Sequence, residues 1–283
     1  MENNPLQPSQ SKLTTELRAK LQSMTTSELE SSLSSLRKKL SFANPAEFIR
    51  VVMELQTPRH MLEWLNHLET HKKLLVEASR DHGKSWLFSY LYPLYSIQRI
   101  KNPKEAISIA LISYSEEQAK KNLARIRKAI ESNPSLKWLM PKSKSYTWES
   151  GMLNMSNDCS VESFGFGSSI RGGHYHKVIV DDPCKDHGTM SVPEQENFFF
   201  GAVIPAVRRG GQIVITGNPI DKQDFLEVIE RNKEFKHFFY PCINEKGEPL
   251  WPEQYTLADL DEKRRMQPAH LWAREYLLKR VSS

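Results

Sequence analysis

Apolar and polar positions along the chain fall into two regimes that meet at Asn44-Pro45. Before that point leucines recur at helical steps. Leu13, Leu17 and Leu21 lie on one face, and Leu29, Leu33, Leu36 and Leu40 form a second stripe at intervals of four, three and four. Ser27 with Glu30 has the form of a capping box that would start the second helix. Two amphipathic helices are predicted, docked either on the following domain or on a partner. Beyond Pro45, short apolar runs alternate with helical patterns. Residues 73–79, 106–113, 177–181 and 212–216 have strand length and are rich in Ile and Val, which suits strands buried on both faces. Helices are predicted over 84–98, 116–132 and 193–207, with Ser113 and Ser115 placed to cap the second. Residues 146–155 and 159–164 read as a hairpin before the third strand, and 249–283 return to helix. The repeated strand-helix order predicts an α/β fold: a mainly parallel central sheet with helices on both faces and right-handed crossovers. Three parts are expected: a helical arm (1–45), a core (46–248) and a C-terminal helical lid or linker (249–283).

Composition narrows the class. At 283 residues the chain is close to twice the ~150 of one domain, which leaves one large unit or two modest ones open. Its 26% charged and 10% aromatic residues exclude a disordered or collagen-like chain. No apolar run approaches the ~18 residues of a membrane span, and the polar start MENNPLQPSQ is unlike a secretion signal. Cys159, Cys184 and Cys242 show no paired spacing, which argues for a reducing compartment. The net charge of +5 permits a polyanionic partner without demanding one.

The densest chemical signal is Ala78-Ser79-Arg80-Asp81-His82-Gly83-Lys84-Ser85. It matches G-x-x-x-x-G-K-[ST] at Gly83, Lys84 and Ser85, with Ala78 in place of the first glycine. An apolar strand runs in and an apolar helix runs out, so backbone N–H groups and a helix N-terminus would face a phosphate. Lys84 would reach the β- and γ-phosphates of a nucleotide and Ser85 would ligate Mg²⁺. A carboxylate partner is supplied by Val178-Ile179-Val180-Asp181-Asp182, two acids closing an apolar strand where α/β sheets bind ligands. Asp181 would hold the metal and Asp182 would deprotonate the attacking water. The fourth strand ends in Thr216-Gly217-Asn218-Pro219, a candidate sensor of the γ-phosphate.

Together these motifs resemble the ATPase domain of the large terminase subunit, the DNA-packaging motor of tailed bacteriophages. The resemblance rests on Arg80 three residues before Gly83, on VIVDD, on TGNP, and more weakly on Ser169-Ile170-Arg171-Gly172-Gly173. It implies a P-loop NTPase fold that hydrolyses Mg²⁺-ATP. It further implies that Arg80 contacts phosphate, that Arg171 is an arginine finger reaching a neighbouring subunit's nucleotide, and that Thr216, Gly217 and Asn218 couple hydrolysis to movement. The implied partners are sequence-nonspecific double-stranded DNA, a portal or procapsid, a small terminase subunit and further copies in a ring, all in the cytoplasm of an infected bacterium. Asp182 is one methylene shorter than the family's usual glutamate, and no clear glutamine for adenine stands out; Gln56 and His60 are the nearest candidates. Only 64 residues follow Pro219, too few for the ribonuclease-H-type domain of such proteins, so the motor half alone, without nuclease activity, is expected.

Other constellations rank lower. His174, His176, Cys184 and His187 have no standard zinc spacing. Basic residues cluster at 125–128, Arg208-Arg209 and 263–265. Of these, Arg208-Arg209-Gly210-Gly211 best suits sequence-independent contact with a DNA backbone. No G-x-S-x-G context is present, which disfavours acyl chemistry of that type. A helicase-like ATPase and a nucleotide-binding assembly adaptor with little turnover are the alternatives.

Overall fold

The computed structural model of the chain describes residues 23–170, 172–184 and 190–280. Seven strands, β1 (Lys73–Ala78), β2 (Ser108–Ser113), β3 (Met152–Asn154), β4 (Ser160–Gly165), β5 (Tyr175–Asp181), β6 (Val207–Gly217) and β7 (Lys236–Tyr240), form one sheet. Their order is β3-β4-β2-β5-β6-β1-β7. All pairings are parallel except β3 with β4, the predicted hairpin. β6 therefore lies between β1 and β5. The turn after β6 is thereby flanked by the loop that carries Gly83 and by the acid pair.

The apolar runs are strands because both faces of the sheet are covered. Leu74, Val76, Ile109, Leu111, Ile179 and Val214 belong to one core cluster, and Leu75, Ala110, Ile112, Val178, Ile213 and Ile215 to the other. The alternation is that of a pleated strand. The leucine-striped helix α1 (Thr26–Ala43) precedes this core. The first cluster is closed by α2 (Pro45–Val51), α3 (Arg59–Thr70), α6 (Glu116–Ser132) and the helix over 84–98. That helix comprises α4 (Lys84–Trp86), a π-helical turn (Leu87–Leu91) and α5 (Tyr92–Gln98). The second cluster is closed by α7 (Val192–Phe198), the π-turn that continues it (Phe199–Val203), and α8 (Phe225–Arg231). α9 (Leu257–Arg265) and α10 (Ala269–Glu275) form a third small core, with Leu260 and Trp272 packed beside Cys242 and Tyr276.

Several expectations change. α1 starts slightly earlier than its sequence suggests, because Thr25 rather than Ser27 makes the capping box, paired with Glu28. Its stripe is not docked on the core: Leu33, Leu36 and Leu40 are 49%, 56% and 44% exposed, and the helix is anchored at its end, where the Ser41 carbonyl accepts from Gln98. The stripe of Leu13, Leu17 and Leu21 lies outside the described residues. β7 and α8 were not expected; β7 is a half-buried edge strand whose sequence, KHFFY, carries no long apolar run. β6 begins five residues early, at Val207, because Arg208-Arg209-Gly210-Gly211 form a bulge. Tyr175 pairs with Val207, yet Lys177, two residues on, pairs with Gln212. None of the described helices is long and apolar enough to cross a membrane.

Candidate nucleotide site

The loop after β1 is held open by main-chain bonds to other segments. The Ser79 N–H donates to the Tyr240 carbonyl (2.9 Å) and the Arg80 N–H to the Glu275 carbonyl (2.9 Å). Gly83 has two reasons to be glycine. Its φ is +84°, and a Cβ there would run into the Met61 side chain at Cε. The helix starts directly behind it, with the Leu87 N–H on the Gly83 carbonyl (2.9 Å). Lys84 is buried, and its ammonium donates to the carbonyls of Ala78 (2.6 Å) and Ser79 (3.2 Å) and to Asn218 Oδ1. Burial lowers its pKa, while Asp182, Asp181, Glu275 and Asp81 pull the other way.

Asp181 ends β5 and is 2% exposed. One oxygen accepts from Ser85 Oγ (3.1 Å); the other accepts from Ser89 Oγ (2.8 Å) and Asn122 Nδ2 (3.2 Å). Ser85 and Ser89 are one helical turn apart and so share a face. Burial, reinforced by Asp182, raises the Asp181 carboxyl to about 6 against the pull of these donors and Lys84. Asp182 takes up φ +48°, and its N–H donates to the Thr216 carbonyl (2.8 Å). Gly217 gives it room, since a Cβ there would sit 3.2 Å from Asp182 Oδ1.

Some of these groups border a cleft of about 490 Å³ at the C-terminal ends of β1, β5 and β6. Arg80, Asp81, Gly83, Lys84, Ser85, Asp182 and Asn218 all line it. Other predicted residues do not. Ala78 and Ser79 lie behind it and offer only their carbonyls to Lys84. His82 turns inward beside His60, Trp251 and Tyr255, and burial drives its imidazole down to about 4, so it is neutral at neutral pH. Thr216, expected to sense phosphate, is fully buried and spends its hydroxyl on the Val76 carbonyl (2.9 Å), so Asn218 is the side chain of that motif that reaches Lys84. Gln56 is not among the residues bordering the cleft. Arg171 and His187 lie outside the described residues. His176 and Cys184, which the zinc reading would join, fall at opposite ends of β5.

Three contributors escape a reading of the sequence. Asn122 is a polar residue on the buried stripe Ala119, Leu123 and Ile126 of α6, which is a usable signal. Ser89 repeats Ser85 one turn on. Glu275, from α10, gives no signal. It borders the cleft, its carbonyl accepts from Arg80 N–H and Asn218 Nδ2 (2.8 Å), and its carboxylate pairs with Arg274 (2.9 Å). The same C-terminal region grips Asp81, through Lys263 (3.1 Å) and the Tyr276 hydroxyl (3.1 Å). Partial burial disfavours the Asp81 carboxylate, but Lys263, Tyr276 and Arg80 outweigh it and hold its carboxyl below its ordinary value. Ser85 Oγ and the Asp181 carboxylate are adjacent hard oxygen donors, the kind Mg²⁺ takes alongside phosphate oxygens, so the site fits that ion.

The order of the strands and the position of the loop define a P-loop type α/β fold. This fold is similar to that of solved large terminases. One is the HK97 bacteriophage large terminase, with a TM-score of 0.60 at 14% identity over 81% of this chain and 52% of that one. Another is the large terminase of a thermophilic bacteriophage, with a TM-score of 0.53 at 14% identity over 76% and 49%. The same thermophilic phage protein in complex with ADP gives 0.51 at 13% identity over 76% and 49%. The chain thus spans about half the length of the structures it matches. No protein-family model and no curated protein matches it.

Proposed function

We propose that the chain is the ATPase motor of a viral large terminase, hydrolysing Mg²⁺-ATP to drive double-stranded DNA into a procapsid. The observation that carries this reading is the convergence of Lys84, Ser85, Asp182 and Asn218 on one cleft beside a glycine-centred loop, with Asp181 bonded to Ser85 directly behind it. The likeness in fold to large terminases, one of them solved with ADP, supports it.

In this reading the N–H groups of the loop and the side chains of Arg80 and Lys84 hold the phosphates. Lys84 exchanges the carbonyls of Ala78 and Ser79 for phosphate oxygens. Ser85 and Asp181 hold Mg²⁺, which when bound neutralises charge on the phosphate oxygens. Asp182 accepts a proton from water as its oxygen attacks the γ-phosphorus and the bond to the bridging oxygen breaks, releasing ADP. Asn218 touches both Lys84 and the Glu275 carbonyl, so it links the phosphates to the C-terminal segment. Arg171 acts as a finger in trans from the next copy in a ring, an arrangement worth roughly 10³–10⁵ in rate. The portal or procapsid and a small terminase subunit are the proposed partners. No nuclease chemistry is assigned to this chain.

The test is steady-state ATP hydrolysis over a wide range of protein concentration. A rate per subunit that climbs with concentration, and that Arg171→Ala flattens, is expected. A concentration-independent rate would remove the finger in trans. DNA-stimulated turnover with strand separation would favour a helicase, and tight ATP binding without turnover an adaptor.

A further inference from the structure

At the other end of the sheet is a second concavity, a notch of about 220 Å³ bordered by Lys72, His176, Lys177, Arg208, Arg209 and the Gly210–Gln212 main chain. It is made by the β6 bulge. Gly210 turns the chain at φ +77° with nothing within 4 Å of where a Cβ would stand, and Gly211 packs so tightly that a Cβ would meet the Arg208 and His176 carbonyls at 2.9 and 3.0 Å. The bulge presents two exposed arginines beside exposed Lys72. The four cations face no carboxylate in the lining among the described residues.

Two details point to an anion. Lys177 is fixed at the floor, its ammonium on Tyr92 Oη (2.8 Å) and Gln212 Oε1 (2.7 Å), while Gln212 is itself anchored to the Leu68 and His71 carbonyls. Burial lowers this ammonium to about 8, opposed by Glu69, which is itself paired with Arg99 (3.5 Å). His176 supplies the second detail. Its Nδ1 lies 3.0 Å from the Ser108 N–H and 3.1 Å from Ser108 Oγ, and burial and Arg208 lower its pKa. Its Nε2 faces Arg208 Nη1 at 2.9 Å. This contact positions an exposed guanidinium at the rim of the notch, where its remaining N–H groups can meet an oxyanion.

We propose that this notch is a phosphodiester-binding site through which the chain grips a DNA backbone, at the opposite end of β5 and β6 from the nucleotide cleft. The choice of DNA rests on the function proposed above; the anion geometry does not. Three exposed cations beside an open glycine main chain suit a linear polyanion, and no Phe, Tyr or Trp among the described residues lines the notch, so contact is with phosphate and independent of sequence. Lys177 and Asp181 are four residues apart on β5, about 13 Å of strand, so one rigid strand joins the grip to the metal-binding acid.

The test is fluorescence anisotropy of a labelled blunt duplex of about 30 bp with the full chain, across a salt series. The triple variant Lys72→Ala/Arg208→Ala/Arg209→Ala is compared with wild type, with a thermal melt to confirm folding and the single reversal Arg209→Glu as a second variant. Affinity is expected to fall about tenfold or more, and the log–log salt slope to become shallower by about two to three. An unchanged affinity and slope in folded variants overturns the proposal. So does a loss of self-association with DNA binding intact, which would make the notch a seat for a neighbouring copy's carboxylates. Turnover in Lys84→Ala separates the two readings. If it is lost while notch variants bind DNA normally, the notch alone fails; if it is unchanged while DNA binding depends on the notch, the ATPase reading alone fails.

Discussion

The two ends of the central strands handle charge in opposite ways. At the C-terminal end buried charges have counterparts. Lys84 sits among Asp81, Asp181, Asp182 and Glu275, and fully buried Glu77 is paired with Arg280, which also reaches Glu230 (3.3 Å). At the N-terminal end, Lys72, Lys177, Arg208 and Arg209 face one another across the notch. A balanced cluster is stable and can exchange one partner for another, as Lys84 would under the proposed function. An unbalanced cluster is repulsive, so its members are expected to contribute little to folding and much to the capture of an anion.

The largest expected effect is on turnover. Lys84→Ala should lower ATP hydrolysis about a thousandfold or more, by removing a fixed charge from a site built for developing negative charge. Next comes stability. Arg280→Met leaves Glu77 buried without its main partner and should cost about 3 kcal/mol in denaturant unfolding, whereas Arg209→Ala at the notch should stay within about 0.5 kcal/mol. A destabilisation of equal size at both ends would erase the contrast. The third effect is on pH. Because burial raises the Asp181 carboxyl to about 6 in the metal-free protein, a proton would compete there with the proposed metal as pH falls through that value. Mg²⁺ affinity should therefore weaken as pH falls through about 6, read by metal titration across a pH series. The same shift means that ionised Asp181 weakens folding at neutral pH, so Asp181→Asn should melt no lower than wild type while losing turnover. The smallest effect is expected far from both ends: Leu36→Ser, on the exposed stripe of α1, should change stability by less than about 0.5 kcal/mol.

How much of this was legible in the sequence follows from how local each feature is. The loop at Gly83, the acids after VIVD and the turn after QIVIT could be read because each couples a buried strand, recognisable as an apolar run, to a short chemical signature. Strand adjacency, which sets β6 between the other two, could only be inferred from the resemblance. β7 was invisible because an edge strand is only half buried and needs no continuous apolar run. Glu275 was invisible because it joins the site from nearly two hundred residues away, through main-chain bonds that any residue type can make. Thr216 misled for a related reason: its hydroxyl had a closer partner in Val76 of the adjacent strand. Arg208-Arg209-Gly210-Gly211 stood out by composition, but its concavity exists only because the register of β5 and β6 slips there.

The most direct test of the central claim sets Mg²⁺-ATP turnover and nucleotide affinity side by side in wild type, Lys84→Ala and Asp182→Asn. The account predicts that turnover collapses in both variants, that Asp182→Asn still binds nucleotide, and that Lys84→Ala binds it weakly. Wild-type turnover indistinguishable from that of both variants would contradict it.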